Sequence, residues 1–196
     1  PPDRALGPAQ FGGNPGLRQA LTAQLDNCQC LGRGDRSGAD TGPGGAIEQR
    51  RLAAILSADV RGYSRMMGAD ETGTLNQLKA HRAALVPLIS ARGGRVVKTT
   101  GDGLLVEFAS VVAACEAALD MQRLMRERNS GEPDARRMDF RMGIHLGDVI
   151  VDEGDIYGDG VNISARLQEL AEPGGIVVSE VVASSLRGKL SASLTD

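Results

Sequence analysis

From Ile47 onward the chain alternates strand-length apolar runs with helix-spaced apolar positions in one fixed order, and that order is the strongest constraint on its fold. "RLAAILSADV" (Arg51 to Val60) is an apolar run of strand length that ends near Asp59, and "RGYS" breaks it. Asp70 and Glu71 suit a helix N-terminus, and Leu75, Leu78, Leu85 and Ile89 keep helical spacing. Pro87 is expected to bend that helix and Gly93-Gly94 to stop it. "GGRVVKTTGDGLLVEF" (Gly93 to Phe108) then reads as two β-prone runs around the turn Gly101-Asp102-Gly103. Val111, Cys115, Ala118, Gln122 and Met125 mark a second helix, which runs out in the polar "RERNSGEPDARR". "MDFRMGIHLGDVIVDEG" (Met138 to Gly154) alternates as strand, Gly147-Asp148 turn, strand. A helix over Val161 to Leu170 is halted by Pro173-Gly174-Gly175, and "GIVVS" closes the pattern with a short strand.

The order is therefore β-α-β-β-α-β-β-α-β. Its first six elements make a split βαβ, ferredoxin-like α+β unit (βαββαβ) with helices on one face of the sheet, followed by an added strand, helix and strand. The other face of such a sheet calls for a partner or a ligand. Residues 1–46 read differently. They hold ten of the chain's 26 glycines and five of its eight prolines, and their four Arg cancel their four Asp. "GRGDRSGADTGPGG" has too little apolar area to offset its ordering entropy, so 1–46 is expected to be a disordered Gly/Pro-rich leader and 47–196 the folded domain.

A net charge of −3 over 196 residues gives no general attraction to nucleic acid or to an anionic membrane. No run of eighteen apolar residues is present, so no membrane span is expected. Cys28, Cys30 and Cys115 cannot all pair and match no zinc spacing, which suits reduced thiols in a cytoplasmic setting.

The chemistry concentrates in turns. Asp59 ends the first strand and Asp102 sits in the hairpin turn, and a split βαβ unit makes those strands neighbours. Two carboxylates at one edge suit Mg²⁺, which takes the rest of its shell from water and substrate phosphates; they also suit ordinary capping and turn chemistry. "VRGYS" offers backbone N–H groups around Gly62 to a phosphate. Lys98, in an otherwise apolar strand, either snorkels or meets a polar ligand. In "GDIYGDGVNISARLQEL" (Gly154 to Leu170), Asn162 and Arg166 stand four apart on one helix face, and Asp155 precedes the helix as a free acceptor. Together Asn162 and Arg166 have the chemistry to orient a ribose and stabilise charge on a phosphoryl group, or to form a solvated face.

Four motifs in this order, "LSADVRGYS", "GGRVVKTTGDGLLVEF", "FRMGIHLGDVIV" and "DIYGDGVNISARL", resemble the class III adenylate/guanylate cyclase catalytic domain of the bacterial type, from about Leu52 to the C-terminus. The resemblance implies a homodimeric adenylate cyclase, a phosphorus–oxygen lyase that converts ATP to cyclic AMP and pyrophosphate in intracellular signalling. It implies that Asp59 and Asp102 bind two Mg²⁺ or Mn²⁺ ions per site. Lys98 and Asp155 fall on the pair that reads the purine; cyclic-GMP-forming members typically carry Glu and Cys-like residues there. Asn162 and Arg166 fall on the catalytic pair that orients the ribose and stabilises the transition state, and Arg141 on a phosphate-contacting arginine. His145 has no catalytic task and reads as a structural histidine. In this family two subunits arranged head to tail share each site. One gives Asp59, Asp102 and Arg141, the other Lys98, Asp155, Asn162 and Arg166. The 3′-oxygen of ATP attacks the α-phosphorus within one nucleotide.

Family domains usually continue past the final helix into a further strand pair with a phosphate-contacting lysine. This chain stops at "SLRGKLSASLTD", so the domain is expected to be truncated at its C-terminus, and Lys189 precedes where that lysine would stand. The rival readings are a catalytically inactive cyclase-like module for dimerisation or nucleotide sensing, and a guanylate cyclase. A diguanylate cyclase shares the split βαβ core, but its Gly-Gly-Asp/Glu-Glu-Phe hairpin is absent.

Overall fold

A computed structural model describes residues 10–11, 49–187, 189 and 193–194. The leader read from the sequence otherwise lies outside the described residues. A two-residue strand, β1 (Gln10–Phe11), pairs in parallel with β8 (Ser193–Leu194) apart from the main sheet.

The centre of the main sheet is β2 (Gln49–Val60), twelve residues long and buried on both faces from Ala53 to Ala58. That double burial is why it reads as a continuous apolar run with no polar alternation. β3 (Arg95–Thr100) and β4 (Gly103–Phe108) form the expected hairpin, β5 is Phe140–Asp152, β6 is Asp155–Tyr157 and β7 is Ile176–Val178. The path runs β3-β4-β2-β5-β6, with β7 parallel to β5 over Met142 to Ile144. β4 and β5 flank β2 antiparallel on either side, which is the strand order of a split βαβ unit.

Two long helices cover one face. α2 (Glu71–Ala91) starts where the Asp70 side chain accepts from Gly73 N–H at 2.9 Å, carries Pro87 inside it, and buries Leu78, Leu85 and Ile89. α3 (Val111–Asn129) buries Cys115, Ala118, Gln122 and Met125 as the spacing predicts, and runs four residues into the segment read as polar run-out. Leu75 keeps the spacing but is 38% exposed. Two short helices close the core, α1 (Tyr63–Ala69) with Met66 and α5 (Glu180–Leu186) with Val182 and Leu186. At seven residues each, both are too short to show a helical period. Burial pushes the free Cys115 thiol up to about 12, so it stays protonated and inert.

The second face is not open. α4 (Asp159–Leu170) lies directly on β5 and β2, because a Cβ at Gly143 would stand 2.2 Å from the Ser164 carbonyl oxygen and 2.3 Å from the Gln168 nitrogen. Ser57 and Ser164 hydroxyls meet at 2.7 Å across that contact. The sheet also curls until its edges touch: Arg95 Nη1 donates to the Gly154 carbonyl at 2.6 Å, and Lys98 reaches Asp155. A second small core of Ala53, Ile55, Leu105, Val149 and Ile156 fills the curl.

The expected turn at Gly147-Asp148 is absent. β5 runs unbroken through it, paired with β2 from Phe140 to Val151, and the chain reverses instead at Glu153-Gly154 into β6. Gly147 is there for space. A Cβ would stand 3.0 Å from His145 Nε2 and 3.4 Å from the Gly160 Cα, where the start of α4 crosses the strand. Asp155 accordingly belongs to a strand, not to the loop before the helix.

Candidate functional site

Asp59 lies one residue from the end of β2, and its cross-strand partner on β5 is Arg141. Arg141 Nη2 donates to Asp59 Oδ2 at 3.1 Å, with both side chains partly exposed. On the other side of β2, the register of β4 (Ala58 opposite Leu104) brings the β3–β4 turn beside the end of the strand. That turn presents Asp102 to Asp59. The Asp102 carboxyl is pushed up to about 6, first by burial, then by its hydrogen bond to Asp59 and the Asp59 charge; N–H groups of Asp102 and Val60 oppose the rise. Two acids held this close repel when both ionise, and a cation between them removes the repulsion. Among the described residues no group of three or more His, Cys, Asp and Glu could hold a metal ion, so a cation at this place would have only the carboxylate pair as acidic ligands. Such a pair fits Mg²⁺ or Mn²⁺ completed by water and phosphate oxygens. Arg141 Nε is buried beside it without a partner among the described residues.

The raised Asp102 carboxyl has a consequence for metal-free stability. Its folded value lies above the ordinary range, so the ionised form is disfavoured in the fold. That penalty is absent below about pH 4 and complete above about pH 7. Asp102→Asn removes it and is expected to stabilise the metal-free protein at pH 7.5 by about 1 kcal/mol, discounted for solvent access. Thermal unfolding at pH 7.5 and pH 4.5 checks this. The gain should be clearly smaller at the lower pH, and Mg²⁺ should stabilise wild type alone. A variant less stable than wild type at pH 7.5 contradicts the paired-acid account.

A second charged set lies where the sheet edges meet. A β-bulge between Val96 and Lys98 re-aims β3, so that Val97 packs against the second core while Lys98 stays exposed. Lys98 Nζ donates to Asp155 Oδ2 at 2.7 Å, and Ile156 N–H to Asp155 Oδ1 at 2.7 Å. Asp155 is therefore not free. The Lys98 hydrogen bond comes first among the causes that hold its carboxyl below the ordinary range, and the Tyr157 side chain adds to them. The Lys98 ammonium also lies 5.5 Å from the centroid of the Tyr157 ring. Tyr157 carries a signal in the sequence: its i, i+2 spacing from Asp155 puts both on one strand face.

On α4, Gly160, Ser164, Leu167 and Gln168 are buried, while Asn162 and Arg166 are exposed together on the opposite side. Neither side chain makes a hydrogen bond or ion pair with another described residue. Gly62, at φ +71°, turns the chain from β2 into α1, and its carbonyl accepts from the N–H groups of Arg65 and Met66. A side chain there would be strained. His145 Nδ1 pairs with the Ser179 hydroxyl at 3.0 Å, and burial lowers its pKa. It is partnered away from both charged sets. The structure thus brings Asp59, Asp102 and Arg141 together, and Lys98 with Asp155. Among the described residues no hydrogen bond or ion pair joins the first set to the second or to Asn162 and Arg166.

The sequence profile of the Adenylate and Guanylate cyclase catalytic domain matches residues 46–195. A Rhizobium meliloti protein provisionally named adenylate cyclase 3 is 44% identical over 149 residues, covering 76% of this chain and 25% of that protein. An adenylate cyclase of Streptomyces coelicolor is 33% identical over 138 residues, covering 70% of this chain and 34% of its own length. The chain thus spans about a quarter to a third of these curated relatives. Among solved structures, an adenylate/guanylate cyclase/hydrolase from Silicibacter pomeroyi superimposes with a TM-score of 0.70 at 44% identity, covering 76% of this chain and 86% of that one.

Proposed function

The chain belongs to the adenylate and guanylate cyclase catalytic-domain family, and from that premise we propose that it converts ATP to 3′,5′-cyclic AMP and pyrophosphate at a site that two copies build head to tail. The observation that carries the reading is the pair of opposed carboxylates at the end of β2. Asp59 and Asp102 would hold Mg²⁺ or Mn²⁺, with Arg141 on a phosphate and the backbone around Gly62 lining the triphosphate. When bound, the cations supply Lewis acidity toward the 3′-hydroxyl and neutralise phosphate charge. Across the dimer, Lys98 donates to an adenine ring nitrogen and Asp155 accepts from the 6-amino group. In the free chain these two satisfy each other at 2.7 Å, so the base replaces one ion pair with two hydrogen bonds. Asn162 orients the ribose, and Arg166 meets the charge that develops on the α-phosphoryl as the 3′-oxygen attacks and pyrophosphate departs. Both stand on the outward side of α4, which supports their serving a second copy.

Incubation with ATP or GTP and Mn²⁺ tests the substrate. Wild type is expected to form cyclic AMP and pyrophosphate, with little cyclic GMP. Lys98→Glu with Asp155→Cys inverts the donor and acceptor pattern, leaves groups unpaired against adenine, and should cut the ATP preference at least about tenfold. Preferential use of GTP by wild type, or an unchanged preference in the double variant, defeats the adenine reading. No product from either nucleotide defeats the cyclase reading.

A further inference from the structure

Resting on that reading of the carboxylate pair, we propose that Arg82 is a positioning residue for metal binding: by donating to the carbonyls on both sides of Asp102 it fixes where that carboxylate stands relative to Asp59. Arg82 lies on α2 between Leu78 and Leu85, on the helix side that faces the core, where a charge needs a reason to be. Its Nη2 donates to the Gly101 carbonyl at 2.5 Å and to the Gly103 carbonyl at 3.1 Å, so one nitrogen straddles the residue between them. Its Nε is buried without a partner among the described residues, a desolvation cost that the two carbonyl bonds offset.

The turn needs such a clamp. Gly101 is at φ +59° and exposed, and the glycines on both sides of Asp102 leave the turn little intrinsic stiffness. The ladder from β4 to β2 reaches only to Leu104, opposite Ala58. Beyond that rung the turn is held only by the last pair of its own hairpin, Thr100 opposite Gly103. Arg82 anchors the turn from the backbone side, through a helix that belongs to the main core. Groups that orient a metal ligand without touching the metal commonly account for ten- to a hundredfold in metal affinity.

The test compares Arg82→Met, which keeps the stem and loses the donors, with Arg82→Lys, which keeps a charge and three donors on a shorter side chain. Mn²⁺ alone is titrated into each 196-residue protein, and the free ion is followed by its paramagnetic resonance signal. Thermal unfolding is recorded in parallel. Arg82→Met should weaken Mn²⁺ binding about tenfold while the unfolded fraction at the titration temperature stays negligible, and Arg82→Lys should recover part of the loss. A role confined to stability would move the melting temperature and leave the Mn²⁺ isotherm of the folded protein unchanged; that result overturns the proposal. So does the absence of any Mn²⁺ binding by wild type. If the isotherms depend on Arg82 but no cyclic nucleotide is ever formed, the assignment of activity fails and the positioning role stands.

Discussion

Asp59→Ala and Asp102→Ala are each expected to lower cyclic AMP formation by a hundredfold or more, to the order of magnitude seen when one preorganised electrostatic group is lost. The two acids meet at the end of β2 with no third acid, His or Cys in a cluster among the described residues, so nothing nearby can take over the lost ligand. Excess Mn²⁺ should not restore either variant. Their stabilities should part company. Asp102→Ala removes a carboxyl whose ionised form is disfavoured first by burial and then by Asp59, so it should leave the metal-free fold intact or firmer. Asp59→Ala leaves Arg141 without its partner at 3.1 Å and should cost about 1 kcal/mol. Loss of turnover with melting temperatures that move in these directions ties the effect to the site. Near-normal turnover by either variant sinks the metal assignment, and collapse of the fold in both makes the acids structural.

Much of this site was legible because its residues sit on elements that announce themselves. β2 ends where its apolar run ends, and Gly101-Asp102-Gly103 is a turn by chemistry, so the meeting of Asp59 and Asp102 follows once β2 and β4 are neighbours. The cross-strand position of Arg141 opposite Asp59 follows from the register of one long antiparallel pair. The helix face shared by Asn162 and Arg166 needs only the helical period. What stayed hidden depends on contacts between distant segments. Gly147 has the local look of a turn, yet it is a glycine because the start of α4 crosses β5 at that point. No local pattern says that the sheet curls, so the meeting of Lys98 with Asp155 and the covering of the second face came only with the fold. Arg82 looks like any charged residue in a helix until the hairpin carbonyls are seen under it.

The central claim is that one site is assembled from two chains, and complementation between two dead proteins tests it most directly. Asp59→Ala destroys one half of the site and spares Lys98, Asp155, Asn162 and Arg166. Asn162→Ala does the reverse. Alone, each homodimer has two broken sites. In an equal mixture with free exchange about half the dimers are mixed, and each holds one site with every residue intact and one doubly broken. Cyclic AMP formation from ATP should therefore return to about a quarter of the wild-type rate at equal total protein. Subunit exchange is verified separately, by energy transfer between donor- and acceptor-labelled copies. A mixture that exchanges subunits and makes no cyclic AMP contradicts the account, because Asp59 and Asn162 would then have to act within the same chain.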